Sequence, residues 1–259
     1  EPSLPDVPEP AADVQVEPMA MHVPAEFFYV RFGSFDNFLW FQDTLDTWGG
    51  DLQNLVATRS LDYGRNERLQ EQLVLKQSKL SRMLGGAVIA DVAIVGTDLL
   101  FRDGAAYGFL FQARNSTLLS ADFASQRAER VKRGGVTEQK IKIEGQEVSY
   151  LSSPDGSVRS YYVVSGDYHF ISSSAVLVAR FLQTAKGQDS LGASKDFRHL
   201  RTIMPLTRND SVFVYLSDAF LHNITGPRYR IEMLRRLEAV TDIELVLLAK
   251  LESATEGKP

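Results

Sequence analysis

The sequence contains no cysteine. Disulfides, thiolate metal sites and cysteine nucleophiles are therefore excluded. Histidine is scarce: His22, His169, His199 and His222 are scattered, and no two stand at the i,i+4 spacing of a helical metal pair. Zincin and EF-hand patterns are missing as well, so no metal and no cofactor is expected. Positive charge is not in excess. The formal net charge is -5, which argues against nucleic acid as a partner because phosphate binding needs a basic surface. Long hydrophobic runs are also missing. The longest, Gly85 to Gly96 and Ile243 to Leu251, fall short of the roughly 20 residues that a bilayer requires.

Several catalytic signatures are absent too. There is no G-x-S-x-G elbow and no serine three residues before a lysine. The glycine pairs starting at Gly49, Gly85 and Gly134 lack the Walker and Rossmann spacings, and each reads as a helix stop. Asp91, Asp98 and Asp103 cluster in sequence, but turns attract aspartate for backbone reasons.

What remains is an ordinary globular composition, with 44% hydrophobic and 24% charged residues. Residues 1–25 read as a proline-rich tether: Pro2, Pro5, Pro8, Pro10, Pro18 and Pro24 alternate with acidic and small residues and favour extended, solvated backbone. Glu1 in place of methionine implies that something upstream has been removed, and a signal peptide, a membrane anchor that would fit a tether, and a cloning choice are all open. Residues 26–252 read as a single α+β domain, with 26–135 and 136–252 as candidate related halves, and residues 253–259 as a polar tail.

Within that domain a strand at Phe27 to Phe32 precedes a helix capped by Ser34, whose Phe38, Phe41, Leu45 and Trp48 recur at helical spacing. A second helix is expected from about Arg65 to Leu84, with Leu69, Leu73, Leu80 and Leu84 on its apolar side. Strands follow at Ala87 to Val95 and Ala106 to Ala113. The first is apolar almost throughout, as a strand buried on both faces would be. Asn115 to Arg133 reads as a helix. The period then changes to two, and Thr137 to Ile143, Glu147 to Ser152, Val158 to Val164 and Tyr168 to Ser173 form an antiparallel meander with hairpin chemistry at each turn. Helices at Ala175 to Lys186 and Ser194 to Met204 and a strand at Ser211 to Leu216 come next. A helix from Pro227 to about Glu238 then precedes another, started by the capping-box pair Thr241 and Glu244. Antiparallel strands beside grouped helices make this an α+β fold, a meander sheet with helices packed on one side.

Three groups of residues carry candidate function. Arg228, Arg230, Arg235 and Arg236 gather after Gly226-Pro227, where helix amides face an incoming anion or acidic partner, although Glu232 and Glu238 can neutralise them. Asp218 and His222, at i,i+4, are the best acid–histidine pair for a distributed hydrolase site. Phe38, Trp40, Phe41 and Trp48 would line a groove for a lipid or other apolar small ligand. The sequons at Asn115, Asn209 and Asn223 read as capping and turn residues.

The run of Ser190-Leu191 before Asp196-Phe197, the strand Val212 to Leu216, and the preceding meander with Tyr161-Tyr162 and Asp167-Tyr168 together resemble an uncharacterised family of exported bacterial proteins. The resemblance spans roughly residues 90–220 and excludes the arginine-rich helix. It implies a bacterial, extracytoplasmic domain, in the periplasm or cell envelope and often anchored, and supplies no catalytic residue. The function expected is non-enzymatic interaction or scaffolding with a protein partner, with the hydrolase and the apolar-ligand binder as alternatives.

Overall fold

The computed structural model describes residues 7–48, 71–75, 85–98 and 106–255. Its centre is one eight-stranded antiparallel sheet in the order β4-β5-β6-β7-β3-β2-β1-β8. The strands are β1 (Phe28–Arg31), β2 (Ile89–Gly96), β3 (Tyr107–Ala113), β4 (Thr137–Ile143), β5 (Gln146–Ser152), β6 (Arg159–Ser165), β7 (Tyr168–Ser172) and β8 (Phe213–Tyr215). The meander β4 to β7 stands where the period of two placed it. Its first hairpin turns on Glu144 and Gly145, at φ 53° and 80°, between the paired residues Ile143 and Gln146. Two left-handed residues in a two-residue loop match the twist of the flanking strands. One sheet runs through both candidate halves, because β7 pairs with β3 and β8 returns to pair with β1.

The α+β class and the antiparallel sheet agree with the sequence, but the helices cover both faces rather than one. Neighbouring residues on the central strands point opposite ways, and both sets are apolar. Tyr29, Ala93, Leu110 and Phe170 face one core, covered by α3 (Ala175–Ala185) and α4 (Lys195–Ile203). Phe28, Val92, Phe109 and Ile171 face the other, covered by α1 (Phe35–Trp48), α2 (Ser116–Lys132) and α5 (Asp218–Thr225). A sheet with two apolar faces needs two layers of cover.

Three further expectations are corrected. The tether ends earlier than residue 25. Met19, Ala20 and Val23 are fully buried in the first core, on a 3-10 turn at Pro18–His22. Proline frequency signals extended backbone, but these apolar residues between the prolines give the segment something to bury. Gly85 and Gly86 do not stop a helix, since residues 85–88 are helical. A Cβ at Gly85 would meet the Phe35 ring at 2.1 Å, so glycine there permits close approach of α1. The last two helices are one, α6 (Pro227–Thr255). Thr241 is interior to it, and its hydroxyl donates to the Leu237 carbonyl one turn back at 2.9 Å rather than capping a new start.

The caps expected at Ser34 and Asn115 form: the Ser34 hydroxyl accepts from the Asn37 amide, and Asn115 accepts from the Leu118 amide. Most of the second expected helix, with Leu69, Leu80 and Leu84, lies outside the described residues, as do Asp103 and Gly49-Gly50.

Candidate functional site

The feature that stands apart from the packed body is α6. The other long helices lay an apolar face on the sheet, whereas α6 is attached mainly through its first three turns. Asp98, at the end of β2 and almost wholly buried, accepts from the Tyr229 hydroxyl at 2.7 Å and from Arg236 Nη1 at 2.5 Å. Burial and that hydrogen bond to Asp98 push the Tyr229 phenol well above its ordinary range, so it stays a neutral donor. A shallow depression lined by Thr225, Pro227, Arg230, Ile231 and Leu234 runs along the start of the helix.

Apolar side chains all along α6 face solvent. Ile231, Leu234, Leu237, Leu245, Val246, Leu247, Leu248 and Leu251 are between 41% and 64% exposed. Single exposed leucines are commonplace, but eight apolar side chains along one helix leave an unusual amount of apolar surface in water.

The four arginines are spread around this helix instead of forming one cradle. At 3.6 residues per turn Arg228 and Arg235 share a side, while Arg230 and Arg236 point to two others. Arg228 pairs with Glu232 at 3.2 Å on the surface, and Arg236 is committed to Asp98. Arg230 borders the depression. The apolar stripe between the charges is the larger feature of this element.

Asp218 and His222 do meet: His222 Nδ1 lies 3.2 Å from Asp218 Oδ2. Both are more than half exposed on one turn of α5, beside the protein surface rather than in a cleft. An imidazole and a carboxylate in that setting share an i,i+4 helix contact and have no enclosed reacting position between them. The aromatic groove is filled. Phe38 and Phe41 pack against Phe32 at ring separations of 5.2 Å each, and Phe38 reaches Phe109 at 6.0 Å. Trp40 lies on the outer side of α1, more than half exposed, and the side chain of Trp48 lies outside the described residues. Of the clustered aspartates, Asp91 pairs with Arg31 at 2.5 Å in the sheet. Asn209 sits in a left-handed turn at φ 55°.

One polar cluster escaped the sequence reading. His169 on β7 is fully buried; its Nε2 lies 2.9 Å from the Ser116 hydroxyl and its Nδ1 lies 2.9 Å from the Tyr162 hydroxyl. The pattern has the look of a nucleophile and its base, yet the third member is a phenol and not a carboxylate. Burial pushes the imidazole down to about 4. A base that weak gives little help in removing a serine proton near neutral pH. Its role is to satisfy two hydroxyls beneath the start of α2. The only sequence trace was a histidine in a strand of otherwise apolar, two-face-buried character.

Arg127 was also missed. From the buried side of α2 it donates to the hydroxyls and carbonyls of both Ser149 and Ser160, at 2.8 to 3.0 Å. Burial pulls its guanidinium down to about 10, while the carboxylate of Glu138 opposes that shift. No motif announces such a residue, because its partners come from two other strands.

Among the described residues no helix is long and apolar enough to cross a membrane, and no three acidic or histidine residues gather as a metal would need. No family model, curated protein or solved structure matches the chain.

Proposed function

We propose that this chain is a non-enzymatic interaction domain, working outside the cytoplasm, that docks a protein partner through α6. The observation that carries the reading is the exposed apolar stripe of α6 on a helix anchored at one end by Asp98. A helix that leaves so much apolar surface in water gains by laying it in a groove or against another helix. The body of the domain serves as the rigid platform, with both sheet faces already covered. Placement in the periplasm or cell envelope rests on the proline-rich leader and on the resemblance across residues 90–220.

The test is a photo-cross-linking amino acid at position 246, beside the stripe, in the full chain expressed in bacteria. Protein adducts are expected, and they should disappear when Leu245→Glu and Leu248→Glu are introduced together. Absence of any protein adduct from a folded chain overturns the reading. A reporter fusion that is active only outside the cytoplasm checks the placement separately.

A further inference from the structure

The exposed stripe of α6 has an internal symmetry. Ile231, Leu234, Leu237, Thr241, Leu245, Leu248 and Leu251 follow one another at intervals of three, three, four, four, three and three residues. Read backwards from Leu251 the spacing is the same, with Thr241 at the centre. At 100° per residue all seven fall within an arc of about 160°. All seven are exposed to solvent. Val246 and Leu247 fall outside the arc. The side of the helix that turns to the body, marked by Tyr229 and Arg236, lies about 130° from the centre of the arc, so the stripe faces away from the sheet.

Charge follows the same plan. The first turns carry Arg228, Arg230, Arg235 and Arg236 with Glu232, and the later turns carry Glu238, Asp242, Glu244 and Glu252 with Lys250. One helix is thus basic at its start and acidic towards its end. If a second such helix is reversed end to end about Thr241, Ile231 meets Leu251, Leu234 meets Leu248, and Leu237 meets Leu245. Arg230 then lies across from Glu252, once at each end. A parallel alignment would instead set Arg230 against Arg230 and Glu252 against Glu252.

We infer that the partner of α6 is α6 of a second copy of this chain, paired antiparallel about a two-fold axis at Thr241. The inference rests on the reading of α6 as the interaction surface and names what covers it. A surface fitted to an unrelated protein has no need to repeat its own spacing in reverse, whereas a self-complementary two-fold contact requires it. The apolar seam from Ile231 to Leu251 extends about 30 Å at 1.5 Å per residue. Such a contact uses the same patch on both copies and closes on itself, so it gives a dimer and not a filament.

The absence of cysteine makes a clean test available. Thr241→Cys is expected to form a disulfide-linked dimer under mild oxidation, since the axis brings position 241 beside itself. Ile231→Cys alone is expected to stay monomeric on denaturing gels, while a mixture of Ile231→Cys and Leu251→Cys proteins should cross-link. By sedimentation, Arg230→Glu and Glu252→Arg should each weaken self-association about tenfold, because both end contacts become repulsive. Mixing those two variants should restore a heterodimer, in which both contacts are again opposite in sign. Circular dichroism of each variant establishes that it folds. Self-cross-linking of Ile231→Cys would mark a parallel pair and overturn the inference. So would a folded chain that remains monomeric at about 100 µM, well above the range of specific pairs. If that monomer still forms photo-adducts with other proteins, the inference falls and the interaction reading stands.

Discussion

Glu17 and Arg201 are 184 residues apart in the chain and meet as a bidentate pair, with Nη2 to Oε1 at 2.5 Å and Nε to Oε2 at 2.9 Å. Both side chains are 2% exposed, and the guanidinium lies 3.7 Å from the centre of the Phe213 ring. The contact joins the end of the leader, α4 and the edge strand β8. It also explains why a segment rich in proline is held against the core.

Removing one member of that pair strands the other as a buried charge. Glu17→Ala is expected to cost about 3 to 5 kcal/mol. Thermal unfolding should show it as a loss on the order of 10 °C. The double variant Glu17→Leu with Arg201→Met should recover most of the loss, because no unpaired charge is left. A double variant as unstable as the single would show that the pair itself holds the segment.

Arg127 makes the same argument inside the second polar network. Arg127→Leu leaves two serine hydroxyls and two carbonyls without their donor, and a loss of about 3 kcal/mol is expected. Urea unfolding of the variant measures it. Arg127→Lys should recover little, because a point charge cannot span both strands as the planar fork does.

His169 gives the domain an acid limb. Burial holds its imidazole at about 4, against an ordinary value near 6.5. Between those values the unfolded histidine binds a proton and the folded one does not, so stability falls as pH falls from about 6.5 to about 4. The charge of Asp167 offsets part of the shift. His169→Gln should flatten this limb when urea midpoints are compared at pH 7 and pH 4.5, even if the variant is less stable at both. An unchanged limb would assign it to other groups.

The Asp98 anchor should control α6 without controlling the body. Asp98→Asn weakens the attraction for Arg236 and is expected to speed tryptic cleavage at Arg235 and Arg236 several-fold. The melting of the sheet should change little, since both cores lie elsewhere. Cleavage unchanged by the substitution would show that the helix is held by its other contacts.

Glu238 falls inside the arc, three residues from the proposed axis, so two copies bring two such carboxylates within about 9 Å along the helices. Glu238→Leu is expected to tighten self-association several-fold in sedimentation and to make the melting temperature depend more strongly on concentration. Weaker association would place the axis elsewhere.

The meander was legible because its signals are local. Two-residue alternation and the glycine at position 145 each act within a few residues of where they stand. The continuity of α6 was not, because Thr241 and Glu244 have the spacing of a cap, and only the hydrogen bond from Thr241 to Leu237 tells interior from start. Two-sided burial of β2 was readable, yet its consequence of helices on both faces needs β3 and β7 beside it. The buried charges were illegible for the same reason: Glu17, Arg201 and Arg127 are polar by type and buried only through partners brought from distant segments. The helix carrying the candidate site was found through its arginines, while its symmetry depends on reading Pro227 to Thr255 as a single element.

The pairing of β1 with β8 sets a schedule. Tyr29 is made early and its neighbour Tyr215 about 190 residues later, which at 5 to 20 residues per second is roughly 10 to 40 s of synthesis. Until then the sheet lacks an edge strand, and α5 and α6 have not been made. A chain that cannot finish its fold until nearly all of it exists stays open through most of its synthesis, and it completes α6 last.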